Sequence, residues 1–181
     1  MANVPTYKVC LLGNGETGKT TYIKRHLTGE FTTKYNPTLG VEVNPLAFYT
    51  NKGPIRFNIW DCAGQEQYGG LRDGYYLKAD AALIFCEKRN ISSVDKWIVD
   101  FKRVNPNSTI IICLNKVDLE KSMIHSKPES IKDYMFYPIS SKSNYNWEKP
   151  FLQLARQFLD NDTIFVEGPP MDLPVALSSR L

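Results

Sequence analysis

Apolar residues gather along this chain in short runs, and the runs are of two kinds. Val9 to Leu12, Ala81 to Cys86 and Thr109 to Leu114 are nearly continuous apolar blocks, the pattern of strands covered on both faces. Val41 to Thr50 and Ile55 to Trp60 read as two more strands. They are joined by Asn51-Lys52-Gly53-Pro54, which has the turn chemistry and length of a hairpin connection. Met135 to Ile139 makes a last short strand. The other runs recur with helical period. After Lys19, Tyr22, Ile23 and Leu27 share a face, with Gly29 available as a C-cap. Val94, Trp97, Ile98, Phe101 and Val104 predict an amphipathic helix over 93–105, and Trp147, Phe151, Leu154, Ala155 and Phe158 predict a final one. Residues 31–40, the glycine-rich stretch 69–76 and residues 119–134 show no period and read as loops. His26 falls on the polar side of the first helix, as a solvated or capping residue, and His125 falls in a surface loop. From Thr163 onward, Pro169, Pro170 and Pro174 mark a tail. The division expected is a domain over 1–166 and a short tail over 167–181.

Strands alternating with helices predict an α/β fold, with a mostly parallel sheet between helices on both faces and ligands beyond the carboxyl ends of the strands. At 181 residues, 43% hydrophobic and 23% charged, the chain suits one domain with a sizeable core. The net charge of +3 is too small and too scattered to argue for direct nucleic-acid binding or a polybasic membrane patch. Cys10, Cys62, Cys86 and Cys113 have no paired spacing, and three of them sit in or beside apolar runs, so reduced thiols are expected. No signal peptide, membrane-spanning run or C-terminal prenylation box is read, and the expected form is a monomer without a membrane anchor.

The chemistry begins where the first strand stops. Gly13-Asn14-Gly15-Glu16-Thr17-Gly18-Lys19-Thr20, followed by Thr21, is G-x-x-x-x-G-K-S/T between a strand and a helix. Its glycines let successive backbone N–H groups turn inward around phosphates, at a helix N-terminus that favours negative charge. Lys19 would reach the β- and γ-phosphates and the Thr20 hydroxyl would ligate Mg²⁺. This motif alone specifies a nucleoside triphosphate and leaves the base open. Asn115-Lys116-Val117-Asp118 narrows it. A carboxylate at 118 accepts from the adjacent N1–H and N2–H₂ donors of guanine, whereas adenine offers an acceptor there, which disfavours an ATP-using kinase. Lys116 would lie along the base through its methylene stem. Asp61, closing an apolar strand, suits the acid that holds Mg²⁺ through a water, and Thr38 suits a second hydroxyl on that ion while the γ-phosphate is present. Gly64 can bring a backbone N–H to the γ-phosphate, and Gln65 can orient the attacking water. Loss of the γ-phosphate would release both loops, which makes them a switch.

These residues resemble the small GTPases, a three-layer P-loop fold with a six-stranded sheet and one antiparallel edge strand. The resemblance covers roughly 5–166. Within that family, Lys24 to Phe31, Thr38 to Val43, Gly69 to Tyr76 and Lys142 to Asn146 resemble the nuclear-transport (Ran-type) branch. The resemblance implies a slow, activator-dependent GTPase shuttling between nucleus and cytoplasm. Importin- and exportin-type carriers, an exchange factor and an activating protein are its implied partners. It also implies that Ser140-Ser141-Lys142 meets guanine O6 through its central N–H, and that Tyr35 sits near the nucleotide and Gln65. Several positions depart from that branch. Cys62 replaces a threonine, and Tyr68 replaces a phenylalanine that engages the GDP-form carrier. Cys86-Glu87-Lys88-Arg89 shortens a surface near the exchange-factor footprint. Ser126 to Ser130 replaces a basic stretch, and the acidic tail which that stretch contacts is absent, so binding to Ran-binding-domain proteins is not expected. A second function fits these departures: a GTP-loaded mimic that competes for carriers without cycling.

Overall fold

The computed structural model describes residues 4–64, 69–119 and 127–168. The most apolar strands lie where the pattern predicts, at the centre of one six-stranded sheet. Its strands are β1 (Thr6–Leu12), β2 (Val41–Thr50), β3 (Gly53–Cys62), β4 (Ala81–Cys86), β5 (Thr109–Leu114) and β6 (Met135–Pro138), in the order β2-β3-β1-β4-β5-β6. β2 runs antiparallel to β3, and every other pairing is parallel. All six residues of β4 are buried because helices cover both of its faces. On one side, Val9, Leu11, Leu83 and Phe85 pack with α1 (Lys19–Thr28) and α4 (Lys149–Phe158). On the other, Cys10, Leu12, Ala82 and Ile84 pack beneath α3 (Val94–Val104) and the end of α2 (Gly69–Tyr76). The period-two alternation of β1 and β4 thus divides the core into two clusters. All four cysteines are buried and free.

Four expectations need correction. The glycine-rich stretch 69–76 is helical, not a loop. Its end is anchored where the buried Tyr76 ring meets Phe101 edge-on at 5.7 Å and the Tyr76 carbonyl accepts from Asn105 Nδ2 at 2.8 Å. Tertiary anchoring here outweighs poor helix propensity. β3 begins at Gly53, two residues before Ile55, because Gly53 takes a φ of 101° and so completes a tighter hairpin. His26 is fully buried, not solvated. It lies one turn after Tyr22 and is stacked on Trp147 at 4.1 Å, with Phe151 edge-on at 5.0 Å. Finally, the segment from Thr163 does not leave the domain at once. Thr163 is buried, Phe165 bridges to Thr50 and stacks on Phe48 at 4.5 Å, and the Val166 N–H donates to the Tyr49 carbonyl. His125, Ser126, Pro169, Pro170 and Pro174 lie outside the described residues. Gly29 does cap α1, with a φ of 74° and its N–H on the Arg25 carbonyl at 3.0 Å.

Candidate functional site

Parallel strands β1, β3, β4 and β5 all end on one edge of the sheet, and that edge gathers the motifs. β1 stops at Gly13, whose φ of 128° turns the chain so close to β4 that a Cβ would stand 2.1 Å from the Phe85 carbonyl oxygen. Only glycine fits there. The loop closes at Gly18, with a φ of 90°, where a Cβ would come within 2.5 Å of Asn115 Nδ2. Asn115 is therefore packed against the phosphate loop, although ninety-odd residues separate them. Its Nδ2 donates to the Thr17 carbonyl at 3.0 Å, and its Oδ1 accepts from the Ser141 N–H at 3.2 Å and the Ser141 hydroxyl at 3.3 Å. One buried amide thus ties three motifs together. Thr17 is also buried, and its hydroxyl donates to the Asn14 carbonyl at 2.8 Å. Asn14 Oδ1 accepts from Trp97 Nε1 at 2.8 Å, which fixes the loop to α3.

Lys19 stretches back under the loop, donating to the Gly13 carbonyl at 2.8 Å and the Asn14 carbonyl at 3.0 Å. Burial pulls its ammonium down to about 8, and nearby Asp61 pulls the other way. The group remains cationic at neutral pH, in a place where an anion would repay its desolvation. Beside it three oxygens converge from three elements. Thr20 Oγ lies 2.8 Å from Thr38 Oγ and donates to Asp61 Oδ2 at 2.5 Å. Burial raises the Asp61 carboxyl above its ordinary range, while the Thr20 hydroxyl and then Lys19 lower it. Asp61 Oδ1 is buried without a hydrogen-bond partner among the described residues. Hard oxygens around an unsatisfied carboxylate suit Mg²⁺ held partly by water and phosphate.

At the far end, Asp118 Oδ1 accepts from the Ser140 hydroxyl at 2.6 Å, and the Ser140 hydroxyl oxygen in turn accepts from the Ser143 N–H at 3.0 Å. The carboxylate is held in orientation with acceptor capacity to spare. Lys116 adopts a φ of 64° and places Nζ 2.6 Å from Glu87 Oε1. A cavity of about 530 Å³ joins the two ends. Gly15, Glu16, Gly18, Lys19, Thr20 and Thr21 line its phosphate side, and Asn115, Lys116, Asp118, Ser141 and Lys142 line its base side. Tyr35, Thr38 and Gly64 face it from the loops. Gly13, Asn14, Thr17 and Ser140 stand behind this wall as supports. Gly64 packs on the phosphate loop so closely that a Cβ would meet the Gly15 nitrogen at 2.4 Å. Gln65 and Tyr68 lie outside the described residues.

The pattern of residue types did not point to Lys24, Glu87 or Trp97. Lys24 lines the cavity and the other two brace its walls. For Glu87 a signal existed: a carboxylate directly after six buried apolar residues has to find a cation.

Fold and site together define a P-loop protein that binds GTP or GDP. Residues 8–118, more than half of the chain, match the family model described as "Roc: Ras of Complex, Roc, domain of DAPkinase". The chain belongs to this family of Ras-like GTPase domains, and the matched span runs from the strand before the phosphate loop to Asp118.

Proposed function

We propose that this protein is a slow GTPase switch of the nuclear-transport type, whose output is the choice of carrier. The single observation that carries the reading is that one cavity has an amide-and-lysine cradle at one end and a braced Asp118 at the other. These ends suit the triphosphate and guanine of one molecule. The amides of Gly15 to Thr21 bind the phosphates. Lys19 would neutralise the β- and γ-oxygens and Asp118 would accept from the guanine edge, while the Ser141 N–H, which donates to Asn115 Oδ1 at 3.2 Å, would be shared with O6. Thr20 and Thr38, with Asp61 through a water, would hold Mg²⁺, which would supply positive charge to offset that of the phosphates. Gln65 would orient the attacking water, Tyr35 lines the cavity, and the products are GDP and phosphate. No arginine lines the cavity among the described residues, which fits slow intrinsic turnover and a gain of ~10³–10⁵-fold from an activating protein.

Transport is supported by the runs shared with Ran-type GTPases and by what they expose. Leu39 is 89% exposed next to Thr38, whose hydroxyl contacts Thr20. A partner seated on Leu39, Tyr35 and Val43 would sense whether Thr38 is drawn to the phosphate site. On this reading the protein works in nucleus and cytoplasm, as a monomer, with an exchange factor and an activating protein. The alternative is a GTP-loaded mimic that occupies carriers without cycling.

The test uses a purified importin-β-type carrier with the protein loaded with GDP or with a non-hydrolysable GTP analogue. Binding at least about tenfold tighter in the GTP-like state is expected, a coupling of ~1.4 kcal/mol. Equal binding in both states would refute the transport role. Single-turnover hydrolysis separates the two forms of the proposal, since rapid activated turnover that is lost in Gln65→Leu excludes the mimic.

A further inference from the structure

A row of charged side chains runs along the rim of the cavity, and nothing in GTP hydrolysis requires it. Glu16 takes a φ of 65°, a left-handed backbone unusual for a non-glycine residue, within the loop whose N–H groups are turned toward phosphate. A carboxylate there would repel the nucleotide. Arg89 Nη2 lies 3.4 Å from Glu16 Oε2, and Arg89 Nε lies 2.7 Å from Glu87 Oε2. The other Glu87 oxygen meets Lys116 Nζ at 2.6 Å. Glu87 is the fixed member: its side chain is 11% exposed, against 65% for Arg89 and 54% for Glu16. Its backbone N–H is also held by Asn90 Oδ1 at 2.7 Å. Glu16 and Lys116 face the cavity from opposite ends, and Arg89 with Glu87 joins them from outside.

We propose that Arg89, braced by Glu87, is an ionic latch. It masks the Glu16 carboxylate from the nucleotide phosphates and steadies Lys116 at the base, and so slows nucleotide release. The inference rests on the GTP-binding reading of the cavity. As an exposed ion pair, Arg89–Glu16 adds little to folding. Its effect falls on a bound polyanion well within a Debye length, where one unmasked negative charge raises the energy of the bound state. Arg89 and Glu87 therefore act as positioning residues, through Glu16 and Lys116.

The experiment measures displacement of a fluorescent N-methylanthraniloyl GDP by excess GDP in the presence of Mg²⁺. Arg89→Ala is expected to release the probe about three- to tenfold faster than the unaltered protein, the scale of a partly screened charge contact. Glu16→Gln combined with Arg89→Ala should return the rate to within about twofold of Glu16→Gln alone, because no carboxylate is left to mask. Raising the ionic strength should narrow the gap in release rate between the unaltered protein and Arg89→Ala, because salt screens both the Arg89–Glu16 pair and the Glu16 charge that the variant unmasks. A merely structural arginine would show neither the rescue nor the salt response. An unchanged rate in Arg89→Ala, or a double variant as fast as Arg89→Ala, overturns the latch while leaving GTP binding intact. Failure of the unaltered protein to retain the probe overturns the GTP-binding reading itself.

Discussion

Lowering the pH should weaken this fold through one imidazole. His26 is fully buried among Tyr22, Phe48, Trp147 and Phe151, from α1, β2 and the region of α4. Tyr22 is the titratable group among these neighbours, and burial pushes its phenol well up, so it stays neutral. Neither ring nitrogen of His26 makes a well-directed hydrogen bond among the described residues, and the nearby Trp147 carbonyl already accepts from Tyr22 Oη at 2.6 Å. Burial therefore drives the imidazole down to about 3, with the Trp147 carbonyl opposing it only in part. The folded state wants the neutral ring, so this contribution is complete above the unfolded value and is lost as pH falls from there toward 3. With ~6.5 in the unfolded chain, the loss between pH 7 and pH 5 is ~2 kcal/mol, a large share of the ~5–15 kcal/mol typical of a domain. Urea unfolding at the two pH values, on the unaltered protein and on His26→Phe, isolates it, because phenylalanine keeps an aromatic ring on Trp147 and cannot be protonated. The unaltered protein should lose ~2 kcal/mol more than the variant. Equal losses in the two proteins, or a His26 NMR titration midpoint near 6, would refute the burial argument.

Two further predictions follow the same geometry. Phe151 is fully buried and meets Tyr22, His26, Phe48 and Phe57 at centroid distances of 5.0–5.7 Å; Phe151→Ala should cost ~3–5 kcal/mol of stability in urea titration, and a loss below ~1 kcal/mol would mean this half of the core is not tightly packed. Removing Mg²⁺ with EDTA should speed guanine-nucleotide release from the unaltered protein several-fold, and Asp61→Asn should abolish most of that response, since Asp61 Oδ1 would then no longer attract the ion; an undiminished EDTA effect would remove Asp61 from the metal site.

What the chain discloses by itself is what short-range spacing encodes. Gly13 to Thr20 and Asn115 to Asp118 each carry their chemistry within a few residues, so both ends of the site were readable before any geometry. The central strands were readable because burial on both faces leaves continuous apolar runs in β4 and β5. The polarity of His26 conceals its position one turn after Tyr22, and nothing local announces that Trp147 and Phe151 will stack around it. The α2 helix is concealed for the opposite reason, since three glycines mask a segment that Tyr76 anchors from its far end. The latch was invisible because Glu16 and Arg89 are seventy-three residues apart, and their pairing exists only once β1 and β4 lie side by side.

The docking of Phe165 against Phe48 and Thr50 has a practical consequence for anyone dissecting this chain. Phe48 also meets the His26 ring, 6.2 Å between centroids, so Phe165 closes an aromatic stack that reaches into the deepest part of the molecule. A fragment trimmed at Phe158, where the last helix ends, would uncover that stack and loosen the hairpin tip. A fragment that keeps the chain through Val166 is therefore expected to be more stable than one ending at Phe158, and a protease that clips between those two points should produce a product visibly easier to melt.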